Sequence, residues 1–138
     1  ENLGGYGLFS FEFFVKEGDV YFSKVCSRPH DTGMVTFASQ NLSQWALHLR
    51  AILGLPIPGI VSRGAAAAAA ILAEGDGVAT YEVNPDALAT PHTDLRLFGK
   101  QEVHGRRPMG VALALGTDTD EARERAVKLA EGVTVTLS

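Results

Sequence analysis

Arg28-Pro29-His30-Asp31-Thr32-Gly33-Met34-Val35-Thr36 sets polar and conformationally special residues between two regular segments. Pro29 fixes its own φ and pushes Arg28 toward an extended backbone, while Gly33 permits a positive φ or a close approach of a ligand to the backbone. A turn needs a proline or a glycine but has no need of an Arg, a His and an Asp as well. The stretch therefore reads as a site loop, with Arg28, His30 and Asp31 facing one cleft.

Upstream, residues 6–15 are rich in Phe, Leu and Val with partial alternation. Glu17-Gly18-Asp19 is a turn signal and residues 20–26 alternate again, so a β-hairpin leads into the loop. Glu12 sits between Phe11 and Phe13 in this apolar run. It is either on the wet face of an edge strand or held at a cation. Downstream, Asn41 with Gln44 approximates a capping box, and Leu42, Trp45, Ala46, Leu49, Ile52 and Leu53 recur at helical spacing until Gly54 and Pro56 stop them. That stripe reads as core, with His48 and Arg50 solvated on the other side. Residues 55–60, with Pro56, Pro58 and Gly59, read as a linker, which marks a domain boundary near residues 61–64.

Beyond it, Ala65 to Ala70 followed by Ile71-Leu72-Ala73 favours helix by propensity, yet the run is short for an isolated helix and closes on Gly75-Asp76-Gly77. Asn84-Pro85 starts a short helix, with Asn as N-cap. Residues 94–98 alternate as a strand, residues 99–105 turn, and residues 109–115 form a second strand, which puts Lys100, Arg106 and Arg107 at or near a hairpin tip. Asp118 with Glu121 caps a helix carrying Ala122, Ala126, Leu129 and Ala130, and Gly132 ends it before a strand at 133–137. His92 and His104 fall in turns without metal-ligand spacing and read as chemically idle. No Ser-His-Asp arrangement, Cys-His zinc pattern or internal repeat is present.

With 138 residues, 46% of them hydrophobic and 20% charged, the chain has a globular balance. A net charge of −4 argues against a nucleic-acid backbone binder. A lone Cys26 allows no internal disulfide and suits a reducing compartment, and no apolar run reaches the length of a membrane span; the expectation is a cytoplasmic protein with no membrane partner. Glu1-Asn2-Leu3-Gly4-Gly5 reads as the last turn of a helix with a glycine cap, so the chain reads as starting in mid-structure.

Ser27 to Thr36, followed by Ala38-Ser39-Gln40 and the helical residues 42–53, resembles the ATP-grasp enzymes of purine biosynthesis, and within them the formate-dependent phosphoribosylglycinamide formyltransferases. Leu95-Arg96-Leu97-Phe98-Gly99-Lys100 and Gly110-Val111-Ala112-Leu113-Ala114 fit the same family, so the likeness runs over nearly the whole chain. The sister carboxyaminoimidazole ribonucleotide synthetases carry an Asn-Ser-Gly-His-like sequence where this chain has Asp31-Thr32-Gly33-Met34. The resemblance implies an α+β fold: residues 1–63 would end an ATP-grasp lobe, and residues 64–138 would form a small β-rich, barrel-like domain, a rudimentary hybrid motif, with the alanine run as its first strand. It implies ATP and Mg²⁺ as co-substrate and cofactor, with the adenine pocket and phosphate loop upstream of residue 1, and an isolated piece without activity. Formate and phosphoribosylglycinamide would be the other ligands, and the full-length form a homodimer.

By the same resemblance Glu12 matches a Mg²⁺ ligand, Arg28 would steady the transferring group, Asp31 would bind the glycinamide, and Lys100 with Arg107 would hold the far phosphate. Asp31 paired with Arg28 or His30 to brace the loop is the structural alternative. The second Mg²⁺-ligand position is Lys24, an ammonium that cannot ligate the ion and would repel it. The family's Gly-x-Arg-Arg-x-Gly stands here as Gly105-Arg106-Arg107-Pro108-Met109-Gly110. Without a gap Arg107 takes the first Arg position and Pro108 the second; shifted by one, Arg106 and Arg107 are the pair. These departures leave open a ligand-binding or interaction remnant without ATP chemistry, or a relative of the carboxyaminoimidazole synthetases.

Overall fold

A computed structural model of the chain describes residues 4–138, so the helix end expected at Glu1-Asn2-Leu3 lies outside the described residues. The chain divides into two compact units, Glu1–Val61 and Ser62–Ser138.

In the first unit, strands β1 (Ser10–Lys16) and β2 (Asp19–Cys26) pair antiparallel. Glu17 and Gly18 turn the chain with φ of 54° and 93°. Two positive φ values give the type I′ geometry, whose twist matches that of a hairpin. Glu12 lies opposite Lys24, and Phe13 lies opposite Phe22, so Ser23 is the extra residue of a bulge. The Phe13 and Phe22 rings meet edge to face at 5.9 Å.

A 3-10 turn (Asp31–Val35) runs into a single helical turn α1 (Thr36–Ser39), and α2 (Gln44–Ile52) follows. The expected capping box does not form. Ser43 is the N-cap, its Oγ accepting the Ala46 N–H at 3.3 Å. Asn41 instead ties down the segment after α2, donating to Gly59 O at 3.2 Å and accepting the Val61 N–H at 2.9 Å. Nor is the apolar stripe of α2 a core within this unit. Trp45 stacks on Phe37 at 4.6 Å, but Leu49, Ile52 and Leu53 are exposed. His48 and Arg50 are not simply solvated either. His48 Nδ1 accepts the Leu8 N–H at 3.0 Å, and Arg50 donates to Pro56 O at 2.7 Å.

In the second unit the alanine run is strand, as the resemblance implies: β3 spans Ala65–Val83. Helix propensity is worth only a few tenths of a kcal/mol per residue. Here it is overridden by hydrogen bonding along β5 and by close packing of small side chains, since Ala67 and Ala69 face Ala114 and Ala112 and Ala69 packs on the cluster of Ala87, Ala112 and Leu129. Gly75-Asp76-Gly77 does not end the strand. Backbone φ values of 137° and 150° at the two glycines carry the strand onward, and at Ala79 it exchanges its β5 partner for β6.

Asn84 caps α3 (Pro85–Leu88) by accepting the Asp86 N–H at 3.0 Å. Next come β4 (Thr93–Leu97), β5 (Glu102–Gly116), α4 (Thr119–Glu131) and β6 (Val133–Leu137). The sheet order is β4-β5-β3-β6, all antiparallel. Asp118 Oδ1 accepts the Asp120 and Glu121 N–H groups at 3.0 and 2.8 Å, which starts α4 where the sequence places it. Its buried stripe of Ala122, Ala126 and Leu129 lies against the sheet, and Met109, Leu113, Leu129 and Val103 are the largest fully buried side chains described. The fold is α+β, with its core in this unit.

Candidate functional site

The loop from Arg28 to Thr36 is held from beneath by α2. Gln44, the one buried polar residue described, accepts the His30 N–H on Oε1 at 3.1 Å and donates from Nε2 to His30 O at 2.6 Å. Thr36 Oγ1 donates to Gly33 O at 2.6 Å and accepts the Gln44 N–H at 2.9 Å. Gly33 does not have a positive φ. A Cβ there would run into the Gln44 carboxamide, so the absent side chain makes room for that group.

The three polar residues of the loop differ in what they touch. His30 turns inward to the 3-10 turn, its Nδ1 3.0 Å from Thr32 Oγ1. Arg28 and Asp31 are exposed, and among the described residues neither is in an ion pair, which removes the bracing alternative for Asp31. Gln44 and Thr36 were not legible as loop supports, because a side-chain bond to backbone fourteen residues away leaves no periodic mark.

Glu12 is taken by its cross-strand neighbour. Lys24 Nζ lies 3.2 Å from Glu12 Oε2, with both side chains about half exposed. Magnesium asks for several hard oxygen ligands in near-octahedral array. Here one carboxylate is paired with an ammonium, and no group of three His, Cys, Asp or Glu residues among the described residues is placed to hold a metal. The described residues do not by themselves fit the ion.

On the second unit the cations lie differently from expectation. β5 begins at Glu102, so only residues 98–101 connect it to β4, and Arg106 and Arg107 lie within a paired strand, not at a tip. His104 is likewise in β5, its Nδ1 3.0 Å from Asp76 Oδ1 and its Nε2 3.8 Å from Glu102. Arg106 is the cross-strand partner of Glu74 and Arg107 that of Ala73; both are exposed. Lys100 is half-buried, 5.4 Å from the centroid of the Phe98 ring, and donates to Pro108 O at 2.7 Å. Proline fits at 108 because the strand bulges there: Leu72 faces Pro108 and Ile71 faces Gly110. The structure thus brings Lys100 beside the Arg107-Pro108 backbone.

At the start of α4 an open cavity of about 290 Å³ is lined by Arg63, His92, Leu115, Gly116, Thr117 and Arg125. Its edge is electrostatically closed. Glu121 accepts the Thr117 N–H at 2.6 Å and the Thr117 hydroxyl at 2.8 Å, and Arg125 donates to it at 2.6 Å. The backbone and side-chain hydrogen bonds from Thr117 hold the Glu121 carboxyl below its ordinary value; desolvation opposes them, and the charges of Arg125 and His92, each a smaller effect than desolvation, add to the lowering. No helix among the described residues is long and apolar enough to cross a membrane.

Comparison with known proteins adds to this geometry. The ATP-grasp domain family matches residues 1–45, and the family described as PurT, C-terminal, matches residues 66–133. A formate-dependent phosphoribosylglycinamide formyltransferase of Shewanella amazonensis is 59% identical over 128 residues, 92% of this chain and 33% of that protein. One of the same name from Nitratidesulfovibrio vulgaris is 57% identical over 98% of this chain and 35% of its own length. The chain therefore spans about a third of these relatives. Among solved structures, N5-carboxyaminoimidazole ribonucleotide synthetase from Thermotoga maritima superposes with a TM-score of 0.85 at 28% identity, over 97% of this chain and 38% of that one. Glycinamide-RNase-transformylase T from Mycobacterium tuberculosis gives 0.75 at 34%, over 96% and 37%.

Proposed function

We propose that the chain, which matches the ATP-grasp domain family over residues 1–45 and the PurT C-terminal family over residues 66–133, supplies the substrate-facing third of an ATP- and formate-dependent phosphoribosylglycinamide formyltransferase. Residues 1–63 end the ATP-grasp lobe and residues 64–138 form the small domain. What supports the reading is 59% identity to a formyltransferase, together with Arg28, Asp31 and Arg107 lying exposed and outside the ion pairs of the described residues.

In this reaction the γ-phosphoryl group of ATP passes to a formate oxygen. The amine of phosphoribosylglycinamide then attacks the formyl carbon, and inorganic phosphate leaves. Such chemistry depends on placement and charge neutralisation more than on covalent help from the protein. Arg28 steadies the acyl phosphate and Asp31 holds the glycinamide end. Lys100 and Arg107 grip the far phosphate, Arg107 by bidentate hydrogen bonds. The reaction takes place in the cytoplasm, in a homodimer. Among the described residues no set fits Mg²⁺.

A chimera in which the 138 residues replace the corresponding third of the Shewanella amazonensis relative tests the reading. Formylation of phosphoribosylglycinamide dependent on both ATP and formate is expected; a folded chimera that binds nucleotide yet forms no product would sink it. The Glu12–Lys24 ion pair favours a second reading, a ligand-binding remnant without ATP chemistry. Under that reading the chimera is silent until Lys24→Glu is introduced.

A further inference from the structure

Three hydrogen-bonding groups at the start of α2 converge on one loop, and their chemistry is specific. A carboxamide offers an acceptor and a donor in a single plane, as a neighbouring strand does. Gln44 uses both on the N–H and C=O of His30, at 3.1 and 2.6 Å, in a position only 5% exposed where water competes little. Gly33, whose N–H donates to His30 O at 2.9 Å, must lack a side chain for the carboxamide to reach. Thr36 then links Gly33 O to the Gln44 N–H. The backbone between Arg28 and Asp31 is thus fixed from within, while both charged side chains stay exposed.

We infer that Gln44 is a positioning residue: its carboxamide sets the geometry at which Arg28 and Asp31 meet the substrate. The inference rests on the reading of those two residues as substrate groups. A loop ordered in advance does not spend binding free energy on ordering itself when the substrate arrives, and the reacting groups keep their alignment. Methionine at position 44 matches glutamine in length and removes both hydrogen bonds.

Two measurements test this. In the 138-residue chain, Gln44→Met should speed hydrogen exchange at the His30 and Gly33 amides about tenfold or more, while the Leu47 amide inside α2 keeps its rate. In the chimera the same substitution should lower kcat about tenfold and raise the KM for phosphoribosylglycinamide, with the KM for ATP and the melting temperature little changed. If Gln44→Met does not fold, Gly33→Ala, which leaves α2 intact and displaces the carboxamide, takes its place in both measurements with the same expected results. Unchanged exchange overturns the inference, as does a loosened loop in a chimera of undiminished kcat and KM. An unsubstituted chimera that folds yet forms no product overturns the functional reading instead, and the exchange comparison then decides by itself whether Gln44 sets the loop.

Discussion

Arg106 and Arg107 are neighbours in sequence and opposites in situation. Successive strand residues project to opposite faces, and across the ladder Arg106 meets Glu74 while Arg107 meets Ala73. Glu74 in register with Arg106 lowers the local positive charge there without an ion pair, whereas Arg107 has no carboxylate opposite it to compete with a dianion. In the chimera, Arg107→Ala should therefore raise the KM for phosphoribosylglycinamide about tenfold, the loss of one charge-assisted hydrogen bond, and leave the KM for ATP unchanged. Arg106→Ala should do little. Equal effects in steady-state kinetics would point to the register shifted by one. Glu121 makes a prediction of a different kind. Its folded-state value lies below 4.5, so its contribution to stability is present above that value and is lost as pH falls through the lower, folded one. Thermal melts of Glu121→Gln should accordingly lose less in Tm than those of the unsubstituted chain as the pH is lowered through the acid range below 4.5. What was legible at this scale was residue type. Arg28, Asp31 and Arg107 stand out because they are charged near glycine and proline. Gln44 does not, because nothing in its sequence surroundings distinguishes a buried clamp from an ordinary helix residue.

Elements were legible where local chemistry decides them and illegible where a distant partner does. Asn84-Pro85 and Asp118 start their helices through bonds to residues two or three positions on. The hairpin turn at Glu17-Gly18 is equally local. Gly75-Asp76-Gly77, by contrast, reads as the close of the alanine run and is strand because β5 pairs with all three residues from outside. The same reason moved the start of β5 back to Glu102, through a stretch whose Gly105 suggests a turn. Gly77 is the point of greatest constraint. Its φ is 150°, and a Cβ would lie 2.9 Å from Ser138 O, a backbone atom that cannot step aside cheaply. Gly77→Ala should cost about 1–3 kcal/mol of stability from strain alone, visible as a lowered urea midpoint with an unchanged m-value.

Across the whole molecule the two units differ in what they bury. The apolar residues described as buried, from Ile71 to Val133, all belong to Ser62–Ser138. In Glu1–Val61, Phe14, Val15, Phe22 and Leu53 are each 60% exposed or more and contribute little hydrophobic stabilisation. Trp45, the single tryptophan, reports on the weaker unit. Its fluorescence should change at a lower urea concentration than the exchange protection of Leu113 is lost; coincident transitions would show one cooperative unit instead. The partner exchange along β3 also has a consequence in time. Thr80 and Thr136, paired across β3 and β6, stand 56 residues apart in the chain. Contacts of such separation must close a long loop before they return any free energy, which slows folding toward the millisecond-to-second range. The far half of β3 therefore waits with an unmated edge until β6 arrives, and in that interval it is open to pairing with the wrong strand.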